Sequence, residues 1–196
     1  MVGLIVVLAM LVLLVIVFVA IYNNLVTLRN TYKNAFAQID VQLKRRYDLI
    51  PTLVENAKGY LQHESRTLVE VIAARNQAFS AAKAAAESPG DPKAMASLAQ
   101  AEGLLGGALA RLLAVVEQYP ELKANEIISQ LKEELVATEN KIAFARQFFN
   151  DCVLNYKNAR EKFPGNIVAN MFGFQDAAFL EATESEEERK VPKVKF

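Results

Sequence analysis

Tryptophan is absent from this 196-residue chain, and there is only one cysteine, Cys152, and one histidine, His63. A single thiol excludes an intramolecular disulfide, and so few soft ligands leave no basis for a structural zinc site. An excess of charge of either sign is also missing. The 22 basic and 22 acidic side chains cancel, which argues against a general nucleic-acid binder, because that function needs positive charge to displace counterions. Proline and glycine are sparse and fall in a few places. What remains is dominated by Ala, Leu, Glu, Lys and Gln, an α-helical composition.

The motifs that would carry chemistry are missing as well. "HES" at His63 starts like the helix of a zinc protease, but the position of the second histidine is Thr67. On a helical wheel His63 points away from Ile72, which reads as surface. "GLLGGAL" has Gly103 and Gly107 four apart, yet no strand precedes it and no Gly-Lys-Ser/Thr follows, so it is no phosphate loop. It reads as small residues where a helix approaches a neighbour. Cys152 reads as a small apolar core residue. The sequence therefore predicts no enzyme, no metal and no cofactor.

The first feature present is "VGLIVVLAMLVLLVIVFVAI", Val2 to Ile21, an uncharged apolar run long enough to cross a hydrocarbon core of about 30 Å. A cleaved signal peptide would need a basic n-region and a shorter apolar core, so residues 1–22 read as an uncleaved, single-pass membrane anchor. Arg29, Lys33, Lys44, Arg45 and Arg46 follow the span and nothing basic but the amino terminus precedes it. The positive-inside rule then places the N-terminus outside and the rest in the cytoplasm, with a periplasmic or extracellular body as the alternative.

Apolar residues recur at helical spacing after the anchor. Leu25, Leu28, Tyr32, Phe36, Ile39 and Leu43 predict a helix over about 23–47 that continues the span. Pro51 predicts a break, with Asp48 as the N-cap of a second helix over about 49–87. "ESPGDP" predicts a loop, with Asp91 as N-cap and Pro92 opening a helix over 92–118. A fourth helix, about 120–163, carries Ile128, Leu131, Leu135, Thr138, Ile142, Ala145, Phe149, Cys152, Tyr156, Ala159 and Phe163 in a seven-residue repeat, ended by "FPGN". The expected fold is all-α: a transmembrane helix continuing into an antiparallel four-helix bundle with long, coiled-coil-like helices over 23–165, followed by an apolar and charged tail over 166–196. The lengths conflict, however. About 25 residues of the first helix give near 37 Å, against about 64 Å for the fourth. Either the bundle tilts at a hinge near "YNN", which is the preferred reading, or Pro51 does not fully reverse the chain.

Candidate interaction and structural residues follow from polar groups on apolar stripes and from apolar groups in the tail. Arg75 and Glu64 fall on the inner face of the second helix, and Glu139 and Arg146 flank that of the fourth. Inward charge is expensive without a partner, so these residues are expected to pair between helices and set register, with a small-anion pocket as the alternative. In "QLKRRYDLIP", Arg46 flanks the core while Arg45 points outward as a candidate contact with another subunit. Phe172, Phe174 and Phe179 are expected to pack on the body, the membrane or a neighbour. Val194 and Phe196 close the chain in a peptide-like "VPKVKF".

The succession of a span, "YNNLVTLRN", "QIDVQLKRRYDLIPTLVENAKGYLQHE", "YPELKAN" and "TENKIAFARQFFNDCVLNYKNAREKFP" resembles the LemA family of bacterial membrane proteins over nearly the whole chain. The resemblance implies a bacterial inner-membrane protein with a helical-bundle domain and no enzymatic activity. It also points to membrane organisation, since a related branch is associated with magnetosome membranes. Other members are lipoproteins with the domain outside; this chain lacks their lipid-accepting cysteine. The expected function is a self-associating scaffold whose partners are membrane lipid and further copies of itself. The alternative is an adaptor that binds another membrane protein, such as a protease, through the bundle or "VPKVKF". An unrecognised enzyme is the remote third reading.

Overall fold

A computed structural model describes residues 1–61 and 64–181, and among them every regular element is helical. Six helices follow one another: α1 (Val2–Lys58), α2 (Ser65–Glu87), α3 (Pro92–Gln118), α4 (Pro120–Lys123), α5 (Glu126–Glu161) and α6 (Gly165–Met171). His63 and the residues of "VPKVKF", Val194 and Phe196 among them, lie outside the described residues.

Contrary to the expected break, Pro51 does not end a helix but sits inside α1, on its exposed face, and Asp48 is a mid-helix residue rather than a cap. Propensity alone favours a break, because a helix-interior proline costs about 3 kcal/mol relative to alanine. Packing overrides it: Leu43, Tyr47, Ile50, Leu53 and Ala57 continue one buried stripe through and beyond the proline. α1 ends instead at Lys58, the basic residue of its last turn, and α2 starts at Ser65.

This later helix end removes the conflict of lengths. The part of α1 beyond the apolar run, Tyr22–Lys58, is about 55 Å long at 1.5 Å per residue. The 36 residues of α5 give about 54 Å, so neither has to enter a bilayer to match the other. Their register is set by named pairs. Tyr32 packs on Tyr156, Phe36 on Phe149, and Arg46 meets Glu139, so numbers rise along α1 as they fall along α5. The expected stripe of α5 is buried or partly buried from Ile128 to Ala159. Only Phe163, beyond the helix end, is exposed.

Local signals explain the other joints. Asp91 caps α3, its Oδ1 accepting from the Ala94 N–H at 2.8 Å, and Pro92 opens the helix. Gly90 before it has φ +87°, and a Cβ there would lie 3.1 Å from the Tyr32 ring and 3.2 Å from Ala177, so glycine meets both conformation and space. The helix expected from Pro120 to 163 is two. Pro120 starts only the short α4, and Asn125 begins α5, its Oδ1 accepting from the N–H groups of Ile127 (2.9 Å) and Ile128 (3.2 Å).

The buried face of α2 is Leu68, Val71, Ala78, Ala82 and Ala85. That face is turned slightly from the expected one, leaving Arg75 at its edge and Phe79 partly exposed. Glu64 precedes α2 without capping it by its side chain.

α1 and α3 are the two described helices long and apolar enough to cross a membrane. They differ in what they bury. Leu98, Leu105, Leu112 and Val116 of α3 are core, whereas the first seventeen residues of the chain bury nothing against the rest.

Candidate functional site

Three α1 residues in a row organise the middle of the body. Arg46 is only 4 % exposed. Its guanidinium pairs with Glu102 of α3 through Nη2 and with Glu139 of α5 through Nη1. The neighbouring Tyr47 hydroxyl donates to the other carboxylate oxygen of Glu102. Burial pushes the Tyr47 phenol far above its ordinary pKa, partly opposed by Arg46, so it remains a donor at neutral pH. Arg45, pointing outward as expected, lies 3.5 Å from Glu134 of α5.

Of the inward charges expected to pair between helices, Glu139 and Arg75 do so, but with other partners than expected, while Glu64 has no ion pair among the described residues. Glu139 pairs with Arg46 rather than with Arg75 or Arg146. Arg75 serves α1: its Nε donates to the Tyr47 carbonyl at 3.0 Å, and its guanidinium stacks over Phe79 at 5.1 Å, with Asp48 at 3.9 Å. That carbonyl is the one left without a helical donor by Pro51, which has no N–H to offer four residues on. Arg146 lines a groove and has no ion pair among the described residues.

This groove, about 540 Å³, lies over α1 between α3 and α5. Leu43, Leu98, Leu135 and Ile142 give it apolar walls, and the Arg46–Glu102–Glu139 cluster borders it. Gly103, Gly106 and Gly107 line it too. A Cβ on Gly106 or Gly107 would meet nothing within 4 Å, so Gly107 does not mark the close helix approach expected of it. Both leave space. Glu102 was missed in the sequence, although its place between Leu98 and Leu105 on the apolar face of α3 marks it as an inward acid.

The aromatic segment after α6 straps α5 to the other helices. Arg160 Nε donates to the Phe174 carbonyl (2.9 Å), the Tyr156 hydroxyl to Gln175 (2.7 Å), and Asn150 bonds both the N–H and the carbonyl of Leu180. The Ala178 N–H donates to the Gly90 carbonyl at 2.8 Å, tying in the α2–α3 turn. Phe174 is buried, edge-on to Tyr22 and under the Arg29 guanidinium. Phe179 is partly exposed beneath Lys157. Asp176 is raised by burial but lowered more by the Lys157 ammonium and the Ala177 N–H, so its carboxyl sits below the usual range and stays charged. Phe172 packs on Phe18 and Tyr22 yet remains half-exposed.

The sequence profile of the LemA family matches residues 35–196. The chain belongs to the LemA family. It is similar to the magnetosome protein MamQ of Magnetospirillum gryphiswaldense, with 27% identity over 174 residues, 81% of this chain and 64% of that protein. Magnetosome protein MamQ 2 of Paramagnetospirillum magneticum shares 26% over 82% of this chain and 64% of its own length. Protein LemA of Metamycoplasma hominis shares 26% over 87% of this chain and 73% of that protein. The chain thus spans less than two thirds of the MamQ proteins it matches. An N-terminal apolar helix together with these relatives points to a membrane protein.

Among the described residues of this LemA-family chain, no three His, Cys, Asp or Glu side chains converge as a metal site. Cys152 is buried, and burial, with Asp151 beside it, raises its thiol above the ordinary value. A buried thiol with raised pKa is a poor nucleophile. A thiol-reactive maleimide is therefore expected to label Cys152 slowly in the folded protein and rapidly once denaturant unfolds it. Fast labelling at neutral pH without denaturant contradicts this assignment.

Outside the groove, α5 presents Phe144, 73% exposed, and Phe148 one turn later. With Gln38 and Gln42 of α1 they border a shallow depression. Neither phenylalanine falls on the seven-residue stripe, so the sequence reading passed over both.

Proposed function

We propose that this LemA-family protein is a non-catalytic, membrane-anchored scaffold that self-associates. In this reading residues 2–21 are a single membrane span, and α1, α2, α3 and α5 form an antiparallel four-helix bundle carried rigidly on it. The observation that carries the proposal is α1 itself. One uninterrupted 57-residue helix leaves its first third bare and builds its remainder into the core, so the anchor and the body are a single mechanical element. Self-association is supported by Phe144 and Phe148, large apolar side chains exposed one turn apart on the outside of α5. The bundle lies in the cytoplasm on the charge asymmetry around the span.

Light scattering of the detergent-solubilised protein tests the scaffold. The expected result is a homo-oligomer that the double substitution Phe144→Glu/Phe148→Glu converts to protomers without loss of helicity. A wild-type protomer at micromolar concentration would sink it. The second reading, an accessory subunit that binds another membrane protein, is favoured by the open groove between α3 and α5, which offers apolar walls beside charge.

A further inference from the structure

Exposed apolar surface returns at the end of the body nearest the span. α6 buries Val168 and Ala169 against the rest and turns Ile167 and Met171, one turn apart, outward. Phe163, four residues before Ile167, is 80% exposed, Met171 is 64% exposed, and Phe172 continues the patch. The run Phe163–Gln175 carries no charged residue and is bracketed by Lys162 and Asp176. A face that only water touched would have little reason to avoid charge over this whole length.

The position of Phe172 says what covers this face. Its ring centroid lies 5.8 Å from that of Phe18 and 4.8 Å from that of Tyr22, on the last turns of the apolar run. With the hydrocarbon ending near Ile21, Phe18 stands about 4.5 Å inside it at 1.5 Å per residue. Phe172 is then held at the boundary between headgroups and acyl chains, the depth of about 5–10 Å at which interfacial helices rest. Tyr22 and Phe18 form the aromatic edge of the span. Arg29, over the Phe174 ring at 5.1 Å, is two turns further out, level with headgroups or beyond.

We propose that Phe163, Ile167, Met171 and Phe172 form a second, monotopic membrane contact, a lipid-facing platform beside the span. It rests on the reading of residues 2–21 as a span. The platform fixes the body upright against the bilayer by two contacts, one crossing it and one lying in its surface, so that the body does not swing on a single helix. Its occupant is the lipid surface rather than a second copy, because the platform is continuous with the span through the Phe18–Phe172 contact.

The absence of tryptophan makes the test direct, since any introduced tryptophan is the sole one. The full chain is reconstituted in vesicles of phosphatidylcholine and phosphatidylglycerol with brominated acyl chains, which quench indole on contact. Four variants are compared: Val12→Trp in the span, Phe163→Trp and Met171→Trp on the platform, and Ile127→Trp on exposed α5 near its start. Val12→Trp, Phe163→Trp and Met171→Trp are expected to lose about half their emission or more, as befits interfacial or deeper burial, while Ile127→Trp is unaffected and quenched by aqueous iodide. Bromolipid quenching of Val12→Trp with iodide quenching of both platform variants overturns the platform and leaves the span. Platform variants protected from both quenchers would mean that protein covers the face, which overturns it too. Quenching of the platform variants without Val12→Trp would sink the span and leave the platform standing.

Discussion

Replacing Arg46 with methionine is expected to lower the stability of the folded body by about 3–5 kcal/mol, the cost of breaking a buried ion pair from one side. The cost falls unequally on its two partners. Glu139 has a side chain 59% exposed and can return to water, but the Glu102 side chain is 15% exposed and would be left in an apolar setting with only the Tyr47 hydroxyl. The double variant Arg46→Met/Glu102→Leu should therefore recover most of the loss, because a buried pair replaced from both sides is often neutral. Arg46→Met/Glu139→Leu should recover little. Urea unfolding of the detergent-held protein, followed by helical circular dichroism, measures both. Equal recovery by the two double variants would show that the cost does not reside in Glu102.

Which parts of this were legible in the sequence depends on how local the cause is. The α1 and α5 stripes, the Asp91 cap and the loop at Gly90 each follow from residues within a few positions of one another. The continuity of α1 does not. Proline chemistry at Pro51 gives the local answer, and it is overruled by Arg75, 24 residues on, which reaches the chain only after α2 has turned back. The same holds at the buried cluster. A wheel puts Arg46 at the margin of the core, but its burial depends on Glu102, which is brought to it by α3. Arg146 illustrates the opposite error: its position beside the stripe promised a partner, and it lines the open groove instead, partly buried. The glycines of α3 mislead for a related reason, since a small residue marks a close approach or a gap with equal ease.

The tail was legible as aromatic but not as a strap. The groups that hold it, Asn150, Tyr156 and Arg160, lie on α5 and bond mostly to its backbone, so no side-chain pattern in the strap itself announces them. Phe172 and Phe174, two residues apart, then meet different fates, one half-exposed and one buried, because the strap turns at Gly173, whose φ is +66°.

Pro51→Ala is expected to stabilise the protein by up to about 3 kcal/mol, the difference between proline and alanine inside a helix. It should also change what Arg75 is for. In the natural sequence Arg75 gives the buried Tyr47 carbonyl its donor, at 3.0 Å, in place of the missing amide of residue 51. Arg75→Met then orphans that carbonyl and costs about 1–3 kcal/mol. With Pro51→Ala already made, the carbonyl has a donor within the helix, and the same Arg75→Met substitution loses the stacking over Phe79, the long contact with Asp48 and an exposed hydrogen bond to Asn76, but orphans no carbonyl. The double-mutant cycle should therefore show a coupling of at least about 1 kcal/mol, within the range for two residues that act on one shared partner. Additive losses would mean that the arginine steadies α2 against α1 irrespective of the proline. A coupling of the expected sign makes Pro51 and Arg75 one unit, in which α2 supplies the hydrogen bond that lets α1 pass its proline without a break.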